Sequence, residues 1–106
     1  MDPYGYADIF NAAVTTGDWS TLVDQFTDDA TLEFVGPPLG PFVGRQAIAD
    51  AYSQTPPDDT IEIVGAAERD GDELVVPFRW QTTAATGTMR FTERGNGVHR
   101  LVVTFD

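Results

Sequence analysis

The chain has 106 residues, 42% of them hydrophobic, which is enough for one domain over residues 1–106 with a core of its own. It has no cysteine, no lysine and one histidine, which excludes disulfides, thiolate and Schiff-base chemistry and any two-histidine metal site within the chain. The formal net charge of −11 disfavours nucleic acids and anionic membranes as partners.

Neither the first residues nor the apolar runs indicate a targeting or membrane segment. The N-terminus has no basic start and no apolar signal core, and no apolar run approaches the ~20 residues of a membrane span. We therefore expect a cytoplasmic protein, and we predict neither a metal ion nor a cofactor.

The first part of the chain predicts two helices. Asp2 is a suitable cap for a helix that begins with Pro3 and ends before Gly17. The apolar residues of that segment recur at helical spacing, namely Tyr6, Ile9, Phe10, Ala13 and Val14. Asp18 is placed to cap a second, short helix whose apolar stripe comprises Trp19, Leu22, Val23 and Phe26.

A strand, a loop and a third helix follow. An acidic turn at Asp28-Asp29 is expected to precede a strand over 30–36, with Leu32 and Phe34 on one face. The proline- and glycine-rich residues up to position 44 are predicted to form a loop. The spacing of Ile48, Ala51 and Tyr52 predicts a helix over 45–54.

The second half alternates like strands, over 60–68, 73–83, 86–93 and 98–106. Turns are expected at Asp70-Gly71-Asp72 and at Gly95-Asn96-Gly97. One face of these strands is strongly apolar, and its residues are Leu74, Val76, Phe78, Trp80, Met89, Phe91, Leu101, Val103 and Phe105. Helices followed by antiparallel strands predict an α+β fold, in which a curved antiparallel sheet packs on about three helices from the N-terminal half around a cleft.

Three phrases carry a family resemblance across nearly the whole chain: GDWSTLVDQFTDDATLEF, FVGRQAIADAYSQ and GVHRLVVTFD. In order and spacing they resemble the nuclear transport factor two-like superfamily, which includes ketosteroid isomerase and the SnoaL-like polyketide cyclases. The resemblance implies a cone-shaped sheet around an apolar pocket. It also implies a homodimer through the outer face of the sheet.

The positions that would carry isomerase chemistry hold the wrong side chains. By the shared landmarks, the catalytic base falls at Phe34, the tyrosine of the oxyanion hole at Phe10 and its aspartic acid at Met89. Tyr52 matches a supporting tyrosine, whose partner here would be Phe10. A general base alone contributes ~10²–10⁴-fold to a rate, so the isomerase reaction is not expected. The resemblance thus predicts aromatic rings and no proton-handling group in the deepest part of the cavity.

The leading interpretation is a protein that binds a small hydrophobic molecule in an aromatic pocket. The predicted lining is Phe10, Phe26, Phe34, Tyr52, Phe78, Trp80, Met89, Phe91 and Val103. Two alternatives stay open. One is a hydrolase, dehydratase or cyclase that uses His99, whose strand parity points it inward, or the terminal Asp106. The other is a dimeric interaction module without catalysis, in which the aromatic rings only fill the core.

Overall fold

The structure is a computed structural model, and it describes residues 2–36 and 39–106. These residues contain three helices and seven strands. The helices are α1 (Pro3–Thr16), α2 (Ser20–Val23) and α3 (Arg45–Gln54). The strands are β1 (Phe26–Val35), β2 (Leu39–Val43), β3 (Ile61–Ile63), β4 (Glu68–Asp70), β5 (Glu73–Trp80), β6 (Thr86–Arg94) and β7 (Gly97–Phe105).

The strands form one mixed sheet in the order β2-β1-β7-β6-β5-β3, and β4 also pairs with β5. This confirms the predicted α+β fold with a curved sheet and three helices. One junction differs from the expected antiparallel pattern, because β1 runs parallel to β7. Hairpins force neighbouring strands to be antiparallel, but β1 and β7 are joined by most of the chain and are free of that constraint.

Helix α1 has the limits that its capping residues predict. The carboxylate of Asp2 accepts a hydrogen bond from the backbone N–H of Tyr4 at 3.0 Å, and Pro3 occupies the first turn. At the other end Gly17 has a φ of +80°, and its N–H donates to the carbonyl of Ala13 at 2.8 Å.

An asparagine ties α1 to the edge of the sheet. The side-chain amide of Asn11 donates to the carbonyl of Ile61 at 2.9 Å, and its oxygen accepts from the N–H of the same residue at 2.8 Å. Both backbone groups of Ile61 that face away from β5 are thereby satisfied. The contact holds α1 against β3.

The predicted loop after β1 is wrong in part, because the structure forms a second strand there. Strand β2 pairs with β1 through Phe42 opposite Leu32 and Leu39 opposite Phe34. It lies at the sheet edge, where the missing N–H of Pro41 costs no ladder hydrogen bond. Residues 37 and 38 of the predicted loop lie outside the described residues.

The acidic turn predicted before β1 is also wrong, because the strand already begins at Phe26. Asp28 and Asp29 lie within it. Arg45 pairs with Asp28 at 3.0 Å, and Arg94 pairs with Asp29. Two arginines distant in sequence therefore pair with the adjacent carboxylates within the strand.

The strand predicted over 60–68 is divided into β3 and β4, which both pair with β5. The break lies opposite Pro77, whose carbonyl accepts from the N–H of Val64 at 3.1 Å but whose nitrogen has no hydrogen to donate. A proline within β5 thus interrupts the ladder on this side.

The inner face of the sheet supplies most of the core, and Phe78 and Phe91 are among its fully buried side chains. The ring of Phe78 lies directly over Gly87 in β6. A Cβ atom at Gly87 would lie 2.7 Å from Phe78 Cζ and 2.5 Å from the carbonyl oxygen of Thr104. Glycine is therefore required for close approach at this point of the sheet.

We predict that Gly87→Ala lowers the free energy of unfolding by about 1–3 kcal/mol, the usual cost of overpacking a core. The matched control is Gly5→Ala in α1, where the nearest atom to the new Cβ would be at 3.6 Å and helix propensity favours alanine. Urea unfolding of both variants checks this. Equal stabilities for wild type and Gly87→Ala would contradict the packing described here.

Candidate functional site

The cavity between the sheet and the helices has two parts. The inner chamber has a volume of about 30 Å³ and is lined by Tyr6, Phe10, Phe34, Tyr52, Pro57, Ile61, Phe78, Trp80, Met89, Leu101 and Val103. The outer chamber has a volume of about 480 Å³ and is lined by Leu32, Phe34, Leu39, Phe42, Ala51, Tyr52, Gln54, Thr55, Pro56, Pro57, Trp80 and Phe105.

Four residues line both chambers and form the neck between them: Phe34, Tyr52, Pro57 and Trp80. They come from β1, from α3, from the segment after α3 and from β5. The neck therefore depends on the whole fold and not on one local motif.

Aromatic rings build one wall of the outer chamber. The ring of Phe105 in β7 lies between those of Phe34 and Trp80, with centroid distances of 6.3 Å to each. The Trp80 and Phe105 rings are almost parallel, at 3°. This wall is apolar and flat, which suits an apolar ligand with a flat surface.

Tyr52 is fixed by a stack on the other side of the neck. Its ring lies parallel to that of Trp19, at a centroid distance of 4.6 Å and an angle of 6°. Phe10 packs against Trp19 edge to face at 5.6 Å. The Tyr52 phenol lies beside that of Tyr6, and the two hydroxyls interact.

Tyr6 lines the inner chamber with its ring, and its hydroxyl is buried behind that lining. The residue is only 4% exposed, and its hydroxyl interacts with the Tyr52 phenol. Its ring packs edge to face on Phe91 at 5.0 Å and on Phe26 at 6.4 Å. Burial raises the pKa of Tyr6 well above its usual value, and the Tyr52 phenol raises it further.

The pKa of Tyr52 rises to about 12, also because of burial. Both phenols are therefore neutral hydrogen-bond donors at physiological pH. Neither phenol moves protons near neutral pH, so the absence of a proton-handling group from the deepest part of the cavity stays a prediction.

Seven of the residues predicted to bind a ligand line the inner chamber: Phe10, Phe34, Tyr52, Phe78, Trp80, Met89 and Val103. The positions aligned with the isomerase base and oxyanion hole thus face one space, and all three are apolar there. Phe26 and Phe91 line neither chamber in the described structure and instead support the Tyr6 ring.

His99 does not point into the cavity. The register of β6 and β7 shifts so that Glu93 lies opposite Val98 and Thr92 opposite Arg100, which leaves His99 in a bulge. Val98 takes the buried position, and His99 Nδ1 lies 3.2 Å from the hydroxyl of Thr27. The parity argument fails because a bulge breaks the alternation of a strand.

Asp106 lies outside both chambers as well. It is exposed, and its carboxylate accepts a hydrogen bond from the Thr86 hydroxyl at 2.7 Å. His99 instead lies 3.6 Å from Asp29, at the start of β1. The two candidate catalytic residues are therefore neither together nor at the cavity.

Tyr6 is the site residue that was overlooked as a candidate. It precedes Phe10 by four residues on the buried face of α1, and this spacing indicated that both would face the same interior. The alignment directed attention to position 10 alone. A buried phenol one helical turn away therefore receives no role from the alignment.

The residues that the structure describes include no group of three or more metal-ligating side chains, and none of their helices is long and apolar enough to cross a membrane.

A family model described as a SnoaL-like domain matches residues 7–104. No curated protein matches the sequence.

Solved structures with the same fold share little sequence with this chain. An NTF2-like protein from Anabaena variabilis superposes with a TM-score of 0.72 and 17% identity, covering 98% of this chain and 86% of its own. A protein with a ketosteroid isomerase-like fold from Catenulispora acidiphila, in complex with trimethylamine, gives 0.74 and 17%, covering 92% and 82%. A candidate polyketide cyclase from Sinorhizobium meliloti gives 0.65 and 21%, covering 93% of each chain. At these identities the likeness shows the fold.

The raised pKa values predict a loss of stability in alkali. Below a pH of about 10 the folded and unfolded chains both hold the phenolic protons, but above it only the unfolded chain loses them. The free energy of unfolding should then fall by ~1.4 kcal/mol per pH unit for each of Tyr6 and Tyr52. Tyr52→Phe should remove about half of this slope. Denaturant unfolding between pH 9 and pH 11 measures it, and identical slopes in both proteins would contradict the burial of these phenols.

Proposed function

This chain belongs to the SnoaL-like family, and we propose that it binds a small hydrophobic molecule in the outer chamber, with one end of that molecule in the inner chamber. The observation that carries the proposal is the outer chamber itself. Its volume of about 480 Å³ lies within the usual ~300–1,000 Å³ of small-molecule sites, and its lining is mostly apolar.

The inner chamber sets how the molecule would lie. At about 30 Å³ it accommodates a terminal group of a ligand and not a whole one. The body of the ligand would pack on the flat aromatic wall of Phe34, Phe105 and Trp80. Burial of roughly 200 Å² of its apolar surface contributes ~5 kcal/mol before the costs of association are subtracted.

The side chains around the inner chamber favour ligand binding without isomerisation. Phe10, Phe34 and Met89 surround the inner chamber at the positions where an isomerase-like relative needs groups that move protons or donate hydrogen bonds. An enzyme that uses His99 or Asp106 gains no support, since both lie away from the chambers. The net charge of −11 further favours uncharged over anionic ligands.

Filling the outer chamber should block binding. Ala51 in α3 lines this chamber, so a phenylalanine there would occupy part of the space for the ligand. We predict that Ala51→Phe weakens binding of the neutral dye Nile red at least tenfold, as measured by fluorescence titration. Ala49→Phe is the matched control, because Ala49 is half-buried on the same helix and lines neither chamber.

Two results would go against this proposal. One is that wild-type protein does not bind Nile red at all. The other is that both phenylalanine variants bind the dye as tightly as wild type does, which would put the dye elsewhere. Circular dichroism spectra of both variants show whether they remain folded.

We also propose that two copies associate through the outer face of the sheet. Val102, Arg90 and Val75 lie side by side across β7, β6 and β5 on this face, and all three are half-buried. Arg90 reaches Glu73 at 3.5 Å and Asp70 at 3.4 Å, which leaves the valines as the apolar part of the face. Arginine beside apolar residues is a composition that interfaces favour.

A charge at the centre of this face tests the association. We predict that Val102→Asp converts a dimer into a monomer in sedimentation velocity, because burying a new carboxylate at the interface is costly and its neighbour Arg90 is already paired with two other carboxylates. The control is Val43→Asp on the edge strand β2, where the valine is 65% exposed. A monomeric wild type, or a Val102→Asp variant that still dimerises, would refute the interface.

A further inference from the structure

We infer that the ligand is a neutral amphipathic molecule whose methyl or short alkyl end enters the inner chamber, while a hydroxyl group at its other end is held at the rim of the outer chamber by Gln54 and Thr55. This inference rests on the proposed function, because it concerns the orientation of the molecule in the two chambers. It defines the ligand class as a flat ring system with an alkyl group at one end and a hydroxyl group at the other.

The inner chamber is the apolar end of the site. The surface that its described lining presents is almost wholly apolar, and Phe10, Met89 and Val103 are part of it. The hydroxyls of Tyr6 and Tyr52 interact with each other, and that of Tyr6 lies behind the lining. A polar group of the ligand that entered this chamber would lose its hydrogen bonds to water without replacing them, which disfavours its binding there.

The size of the inner chamber indicates the same kind of group. At about 30 Å³ it has room for a methyl or ethyl group and not for a ring. A chamber with this lining also holds water poorly, because a buried water molecule needs roughly two to four polar partners. An alkyl end that enters therefore displaces no well-bound water, and it buries its surface against aromatic and aliphatic side chains.

The rim of the outer chamber is the polar end of the site. Gln54 and Thr55 line the outer chamber only, and both are exposed. Their side chains supply an amide and a hydroxyl, which can each donate and accept hydrogen bonds. The other described side chains that line this chamber are apolar, apart from the tyrosine and the tryptophan of the neck. A polar group of the ligand therefore finds partners at this end and not at the other.

The C-terminal end of α3 favours a head group that donates a hydrogen bond. The carbonyls of Tyr52 and Ser53 would accept from the residues four places ahead, but these are Pro56 and Pro57, which have no N–H. Carbonyls of this kind give the C-terminal end of a helix a partial negative charge. The net charge of −11 acts in the same direction. A hydroxyl group suits this rim, and a carboxylate does not.

The wall between the two ends determines the shape of the ligand body. The rings of Phe34, Phe105 and Trp80 form the flat wall of the outer chamber, and Phe34 and Trp80 also line the neck. A molecule that lies along this wall reaches the inner chamber with one end and leaves the opposite end at the rim. A flat body with its two substituents at opposite ends therefore fits the inner chamber, the wall and the rim together.

Three naphthalenes of nearly the same size test the inference: 6-methyl-2-naphthol, 2,6-dimethylnaphthalene and 2,6-dihydroxynaphthalene. A site that is merely apolar would bind the dimethyl compound most tightly, because this compound gains most from leaving water. We instead expect 6-methyl-2-naphthol to bind wild type about fivefold more tightly than the dimethyl compound and about tenfold more tightly than the dihydroxy compound, as measured by fluorescence titration.

Two variants locate the preference. Gln54→Leu combined with Thr55→Val removes the polar rim, and it should make 2,6-dimethylnaphthalene the tightest ligand of the three. Val103→Thr adds a hydroxyl to the inner chamber with little change of shape, and it should bring 6-methyl-2-naphthol and the dihydroxy compound to within about threefold of each other. The controls are Gln46→Leu in α3 and Val43→Thr in β2, which line neither chamber and should keep the wild-type order.

Nuclear Overhauser effects report the orientation of the ligand directly. Met89 lines the inner chamber, and its methyl group can carry an isotope label. In the complex with 6-methyl-2-naphthol, we expect an effect between the methyl groups of the ligand and of Met89, and none between Met89 and the ring protons beside the ligand hydroxyl. Met89→Leu identifies the labelled signal. The reverse pattern would overturn the inference.

The outcomes distinguish the two proposals. If wild type binds neither Nile red nor any of the naphthalenes, both fail. The inference fails while the proposed function stands if wild type binds Nile red but no naphthalene, if it prefers the dimethyl compound, or if the rim variant keeps the wild-type order. An order that changes in the rim variant and persists in the controls, with the ligand methyl at Met89, supports both.

Discussion

The parallel pairing of β1 with β7 is the constraint on which the cavity depends. It places Phe34 beside Val103 and Leu32 beside Leu101, and so joins the wall from the first half of the chain to that from the second. Without this junction the inner chamber would lose its side formed by β1, and the aromatic wall would lose the contact between Phe34 and Phe105. A long-range strand pair therefore creates the site, although neither strand alone contains it.

Large side chains fill most of the space at the inner end of the cavity. Aromatic and aliphatic residues from α1, α3 and the sheet reduce the inner chamber to about 30 Å³, while the space nearer the solvent stays wide. The same apolar residues stand at the positions where an acid–base enzyme needs charged groups. What remains is an apolar recess, and the same fold serves binding proteins as well as enzymes.

Local signals predicted α1 and α3 well, but α2 is shorter than predicted, because Trp19 is its N-cap and Phe26 belongs to β1. Asp2, Pro3 and Gly17 determine the ends of α1 through hydrogen bonds and backbone angles within a few residues, and α3 has the predicted limits. The alternation of β5, β6 and β7 likewise identified the apolar face that lines the chambers. These features depend on neighbours in sequence, so the sequence alone was sufficient.

The misplaced features depend on distant partners. The bulge that turns His99 outward arises from the register between β6 and β7, and the strand at Asp28 and Asp29 needs Arg45 and Arg94. Strand β2 forms because β1 offers it an edge. Tyr6 had a usable signal in its spacing from Phe10, but whether its hydroxyl finds a partner depends on the complete three-dimensional packing.

The contact between Asn11 and Ile61 affects the tendency of the protein to aggregate through the β3 edge of its sheet. An open β edge is a template on which a neighbouring chain adds a strand, and runaway addition of this kind leads to fibres. At Ile61 both backbone groups are already taken by one amide side chain. The Asn11 side chain thus blocks strand addition at the β3 edge. Its loss would leave the backbone N–H and carbonyl of Ile61 open to a strand of a neighbouring molecule.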